Sequence, residues 1–149
     1  MTDAPDFTLP QPGGETVTLS DQRPAPVVLF FYPRDNTPGC TKEAVGFSDS
    51  LADFDAAGAR VFGISKDSLA SHEKFRDKQG LGVTLLSDAD SDACERYGVW
   101  KEKNMYGKTF FGIERSTFLI DGAGRIVREW RKVKVPGHVE EVLNAVRAL

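Results

Sequence analysis

The stretch "PVVLFFYPRDNTPGC", residues 26–40, decides the fold. Its first half is a continuous apolar run bounded by prolines. That pattern predicts a strand buried on both faces of a mostly parallel sheet, because an alternating strand would show every second residue to water. Its second half packs two prolines, an Asn and a Gly into a short turn and ends on a cysteine, one of two in the chain. Helical spacing starts directly afterwards, with Ala44, Val45, Phe47, Leu51 and Phe54 as the apolar face of a helix over 41–57 that Gly58 stops.

Working outward, "FTLP" and "TVTLS" flank the turn "QPGGE" and predict a small N-terminal β-hairpin. "ARVFGIS" (59–65) and "VTLLSD" (83–88) read as further strands. "SLASHEKFRDKQG" between them reads as an amphipathic helix ending at Gly80. A short helix is expected around "SDACERYG", then a long polar-aromatic loop, "GVWKEKNMYGKTFFGIE". "RSTFLID" and "RIVREW" predict a hairpin turned at 121–124, and "HVEEVLNAVRAL" a closing helix. The alternation predicts a single α/β domain over residues 1–149, with a central mixed sheet flanked by helices.

Composition limits the possible functions. The chain has 149 residues, 40% apolar and 28% charged, which suits one soluble domain with its own core. Net charge is -3 with the signs interspersed, so neither nucleic acid nor an anionic membrane is an expected partner. The densest basic cluster, "RKVKV" (131–135), reads as a solvated strand face. No stretch is long and apolar enough to span a membrane, and "MTDAPDF" lacks the features of a signal peptide. Two cysteines do not make a disulfide framework, so a reducing cytoplasm is the expected compartment.

Cys40 follows the carboxyl end of a central strand and enters the first turn of a helix. Ligands bind at that end of open α/β sheets. Unpaired first-turn N–H groups and the helix dipole both favour a thiolate there. The competing reading is a small buried apolar residue, and the neighbours Gly39 and Thr41 weigh against it. Thr37 can bring a hydroxyl near the sulfur, while Pro33 and Pro38 fix the turn. Because position 37 is not a cysteine, the C-x-x-C pair of a dithiol oxidoreductase is absent.

Pro33, Thr37 and Cys40 match the P-x-x-x-T-x-x-C signature of peroxiredoxins. "YPRDNTPGCTKEA", "LLSDADSDACERYGVW" and "YGKTFFGIERSTFLID" together resemble the bacterioferritin comigratory protein (peroxiredoxin Q) subfamily over nearly the whole chain. The resemblance implies a thioredoxin-like fold and a thiol-dependent reduction of hydrogen peroxide and organic hydroperoxides with no cofactor or metal. It implies Cys40 as the attacking cysteine, with Pro33, Thr37 and Arg115 (in "ERSTF") as its partners.

An ordinary thiol with a pKa of about 8.5 is only about 3% ionised at pH 7, so full ionisation gains at most roughly 30-fold. Acidifying the thiol also costs about tenfold in nucleophilicity, leaving a net gain of a few-fold. The larger contribution must come from donors aimed at the peroxide oxygens in the transition state. The Cys40 N–H, the Thr37 hydroxyl and the Arg115 guanidinium are the candidates, and the product is a sulfenic acid on Cys40. Glu43 has two readings, as a group orienting Arg115 and as an acid that stabilises a first helical turn. Trp100, Tyr106 and Phe110 either wall the pocket or pack as core, and core is the expectation. His72 and His138 lack a Cys or carboxylate at ligand spacing, so no metal is expected.

Many subfamily members carry a second cysteine five residues after the first, where this chain has Val45. The other cysteine, Cys94, reads as a small residue packed beside Ala93 and Tyr97. A one-cysteine cycle is therefore expected, with an external thiol as reductant: thioredoxin, glutaredoxin with glutathione, or another small thiol. A monomer is expected. The alternative function is a redox-sensing binding or chaperone module of the same fold, without turnover.

Overall fold

The computed structural model describes residues 2–149. Its strands are β1 (Thr2–Asp3), β2 (Thr8–Pro10), β3 (Thr16–Thr18), β4 (Val27–Phe31), β5 (Arg60–Ser65), β6 (Thr84–Ser87), β7 (Trp100–Met105), β8 (Lys108–Ile113), β9 (Ser116–Ile120) and β10 (Arg125–Trp130). The helices are α1 (Pro38–Asp49), α2 (Leu51–Ala56), α3 (Leu69–Gln79), α4 (Ala93–Arg96) and α5 (His138–Arg147).

The main sheet has six strands in the order β1-β10-β9-β4-β5-β6. β4 pairs parallel with β5 and antiparallel with β9, so the sheet is mixed and β4 lies inside it. Every residue of β4 is buried, as the unbroken apolar run requires. Its side chains divide between two cores. Val27, Leu29 and Phe31 join one, while Val28, Phe30 and Tyr32 join the other. The second core is covered by α1, α2, α3 and α5, which contribute Ala44, Phe47, Phe54, Phe75, Val142 and Val146. The first is covered by the β2–β3 hairpin and α4, through Leu9, Ala93, Cys94 and Tyr97. The four longer helices therefore cover one face of the sheet, and the short α4 with the β2–β3 hairpin covers the other.

Phe30 of β4 stacks on Phe47 of α1 with ring centroids 4.5 Å apart, which seats that helix on the sheet. Gly63 of β5 makes the stack possible. A Cβ there would lie 2.5 Å from Phe30 Cζ.

Four expectations change. The helix expected over 41–57 is two helices broken at Ser50, where "SDS" has poor helix propensity. It starts earlier, at Pro38, because proline suits the first helical position. The loop over 98–114 contains a two-stranded hairpin, β7–β8, in which Met105 pairs with Lys108. Tyr106 and Gly107 turn it with φ of 53° and 75°, the positive values of a two-residue type I′ turn. "RKVKV" has left the sheet and is not a strand, although its lysines are exposed. Among the described residues no helix is long and apolar enough to cross a membrane.

Candidate active site

The turn after β4 is held by its own polar groups. Asn36 has φ 61°, a left-handed conformation that Asn tolerates better than most residues. Thr37 occupies the cap position of α1, and its hydroxyl donates to the Arg34 carbonyl at 2.9 Å. The helical ladder opens with the Thr41 N–H donating to the Thr37 carbonyl at 2.8 Å, so the N–H groups of Gly39 and Cys40 precede it. Cys40 is 1% exposed.

Arg115 arrives from the short link between β8 and β9. β9 lies beside β4 with Ser116 opposite Phe31, which sets Arg115 next to the loop. Its Nη2 donates to Cys40 Sγ at 3.3 Å and its Nη1 to Glu43 Oε1 at 2.8 Å. Gly39 permits the approach, since a Cβ there would lie 3.1 Å from Arg115 Nη2. Burial alone would weaken the guanidinium's charge, but Glu43 and Cys40 outweigh it and raise the Arg115 pKa. Glu43 is wholly buried, and its second oxygen has no hydrogen-bond partner among the described residues. Burial pushes its carboxyl up to about 7, with Arg115 pulling the other way. Because α1 starts at Pro38, Glu43 lies beyond the first turn and the dipole reading falls. The geometry leaves the one in which Glu43 orients Arg115.

A cleft of about 520 Å³ opens beside the loop, with Pro33 and Thr37 on one side and Trp100, Phe110 and Phe111 on the other. Core packing, expected for Trp100, Tyr106 and Phe110, describes only Trp100, which is partly buried against the first core. Phe110 is 42% exposed along the cleft, and Tyr106 is 97% exposed at the hairpin tip. A two-residue turn at a hairpin end leaves its side chains in water.

His72 is not on a polar surface. It is fully buried, with Nδ1 at 2.7 Å from Asp35 Oδ2 and Nε2 at 2.9 Å from the Leu86 carbonyl. Asp35, Asp67 and His72 bring three ligand-type atoms within 4.8 Å of one another. Each of these residues is already engaged by protein donors or acceptors, as a hydrogen-bond network requires. Sequence spacing missed the pair because 37 residues separate its members.

Cys94 sits in the first core and Cys40 in the second, so the sheet lies between the two thiols. Both are free. Burial pushes the Cys94 thiol far up, and a hydrogen bond to Asp88 adds to it. That Asp88 carboxylate also accepts from the N–H groups of Ala93 and Cys94, at 3.0 and 2.8 Å.

The AhpC/TSA family model matches residues 1–129. The chain belongs to that family and is a peroxiredoxin, a thiol peroxidase. It is 54% identical over 141 residues to a putative peroxiredoxin bcp of Coxiella burnetii, covering 95% of this chain and 93% of that one. Peroxiredoxin Q of Xanthomonas campestris has the same thioredoxin-like fold, with a TM-score of 0.91 at 48% identity over 95% of this chain and 90% of that one. A structure of bacterioferritin comigratory protein from the same organism, a trapped intermediate/ligand complex bearing on alkyl peroxide reduction, has a TM-score of 0.90 at 48% identity and the same coverage. Two further structures of the Xanthomonas peroxiredoxin replace a different cysteine with serine in each.

Proposed function

We propose that this peroxiredoxin reduces hydrogen peroxide and alkyl hydroperoxides through Cys40 alone and is recycled by an external thiol. The observation that carries the reading is the Arg115 fork, one arm 3.3 Å from Cys40 Sγ and the other 2.8 Å from Glu43 Oε1. The Cys40 thiolate attacks one peroxide oxygen and the O–O bond breaks. The other oxygen leaves as water or alcohol after taking one proton, and Cys40 becomes a sulfenic acid. Arg115 and the Cys40 N–H stabilise the charge building on the oxygens. Thr37 has spent its hydrogen on the Arg34 carbonyl, so its hydroxyl oxygen accepts the hydrogen bond of an incoming hydroperoxide. Pro33 closes the adjacent side of the cleft.

A first external thiol condenses with the sulfenic acid and releases water. A second thiol then displaces Cys40 and carries away the disulfide. Thioredoxin, glutaredoxin with glutathione, or another small thiol supplies both. The one-cysteine reading is supported by Val45, by the sheet between Cys40 and Cys94, and by the raised pKa of the Cys94 thiol. The protein works as a monomer of one domain in a reducing cytoplasm, and its two unpaired thiols support that compartment.

The test is peroxide consumption with dithiothreitol. Wild type turns over and folded Cys40→Ser does not. Substantial turnover by Cys40→Ser overturns the assignment. Oxidation of wild type without turnover favours the redox-sensing binder instead.

A further inference from the structure

We infer that the buried Asp35–His72 pair is a positioning device for the loop that presents Cys40, acting on peroxide alignment rather than on the thiol. The inference rests on the peroxidase reading of Cys40.

Asp35 lies between Pro33 and Thr37, yet its side chain turns inward and is buried. Its carboxylate accepts from the Tyr32 hydroxyl at 2.6 Å and the Ser71 hydroxyl at 2.8 Å, and it lies 2.7 Å from His72 Nδ1. Its own N–H donates to Asp67 Oδ2 at 2.9 Å, and that oxygen also accepts from the Ser65 hydroxyl at 2.6 Å. The loop is thus tied from beneath to the ends of β4 and β5 and to α3.

The His72 contacts fix where the protons lie. A backbone carbonyl only accepts, so Nε2 carries a hydrogen toward Leu86. One proton then lies between Nδ1 and Asp35 Oδ2, whichever partner formally holds it. Because Asp35, His72 and Ser65 are buried, an ångström's shift of Asp35 would cost several polar groups their partners. Thr37, two residues on, has among the described residues only the local bond from its hydroxyl to the Arg34 carbonyl to orient that side chain. The inner network therefore sets the backbone from which Pro33 and Thr37 face the cleft. The contact between Arg115 and Cys40 joins the β8–β9 link to α1 and does not pass through it.

This separation gives the test. Cys40 is reacted in single turnover with hydrogen peroxide and, separately, with iodoacetamide, which needs the thiolate but no peroxide alignment. Asp35→Ala and His72→Leu are expected to lower the peroxide rate roughly tenfold or more and the alkylation rate by less than about threefold. Asp35→Asn is expected to restore the peroxide rate, since an amide still accepts from Tyr32 and its two hydrogens can go to Nδ1 of a neutral ring and to the Ser71 hydroxyl, which turns to accept. If the severe variants do not fold, Ser71→Ala carries the comparison with a peroxide-selective loss of about threefold. Peroxide rates equal to wild type in the folded variants overturn the inference, and so does an equal fall in both reactions. Failure of wild-type Cys40 to react with peroxide overturns the peroxidase reading instead.

Discussion

Arg115 Nη1 lies 2.8 Å from Glu43 Oε1, while the other oxygen of Glu43 is buried without a partner among the described residues. The carboxyl is thus engaged on one side, and its hold on the guanidinium fixes the arm that reaches Cys40. Arg115→Ala is expected to slow Cys40 oxidation by roughly 100-fold or more, the usual cost of losing a transition-state donor. Glu43→Gln keeps an oxygen for Nη1 and should cost only a few-fold. Single-turnover rates corrected for the measured thiolate fraction check both. A loss fully explained by that fraction would leave Arg115 no role in the transition state.

Gly39→Ala probes the same contact from the other side. The added methyl would sit 3.1 Å from Arg115 Nη2, so the guanidinium must give way by a few tenths of an ångström beside the sulfur. The expected outcome is a tenfold-scale loss of peroxide reactivity at nearly unchanged melting temperature, since alanine suits a helix better than glycine. Wild-type reactivity in this variant would show that the fork adjusts without cost.

With the sheet between the two thiols, the sulfenic acid on Cys40 should persist. One equivalent of peroxide is expected to add a single oxygen that dimedone traps, and excess peroxide to carry it to sulfinic acid. Cys94→Ser should change neither result. Intact mass and a peptide map check this; a Cys40–Cys94 disulfide, or a disulfide-linked dimer on a non-reducing gel, is the opposing result.

Two buried groups tie stability to pH with opposite signs. Burial holds His138 down to about 4 against an ordinary 6.5; Glu141 opposes that shift and Arg115 adds to it. The unfolded chain therefore binds the extra proton between those values, and the contribution of His138 is lost as pH falls from 6.5 toward 4. Glu43, held at about 7 against 4.5, binds its proton in the folded state, so its contribution is lost as pH rises through that range. Each is worth about 3 kcal/mol, and they oppose one another where the ranges overlap. Wild type should show a shallow stability profile between pH 4.5 and 6.5. Glu43→Gln should become markedly less stable toward acid, and His138→Gln less stable as pH rises. Chemical denaturation across pH measures both slopes; parallel profiles in the two variants would remove these groups as the cause.

The features legible in the sequence are those set by local or strongly periodic signals. The run at 26–33 declares a doubly buried strand, and Gly80 ends α3 in a left-handed conformation. The β7–β8 hairpin was hidden because most of its residues face water, so burial imposes no alternation on them. The turn pair Tyr106–Gly107 was the available signal. The Asp35–His72 contact and the opposite faces of Cys40 and Cys94 follow from tertiary packing, which no local window contains. Arg115 was reachable through family resemblance, because nothing in "ERSTF" alone points across 75 residues to a sulfur.

The stack of Phe30 on Phe47 reaches further than the core it fills. Phe47 belongs to the same rigid helix as Cys40, two turns along, and Phe30 rests directly over the bare Cα of Gly63. A methyl at position 63 would force the Phe30 ring aside, and Phe47, with the helix that carries Cys40, rests on that ring. A residue that no peroxide ever meets thus bears on the seat of the reactive sulfur.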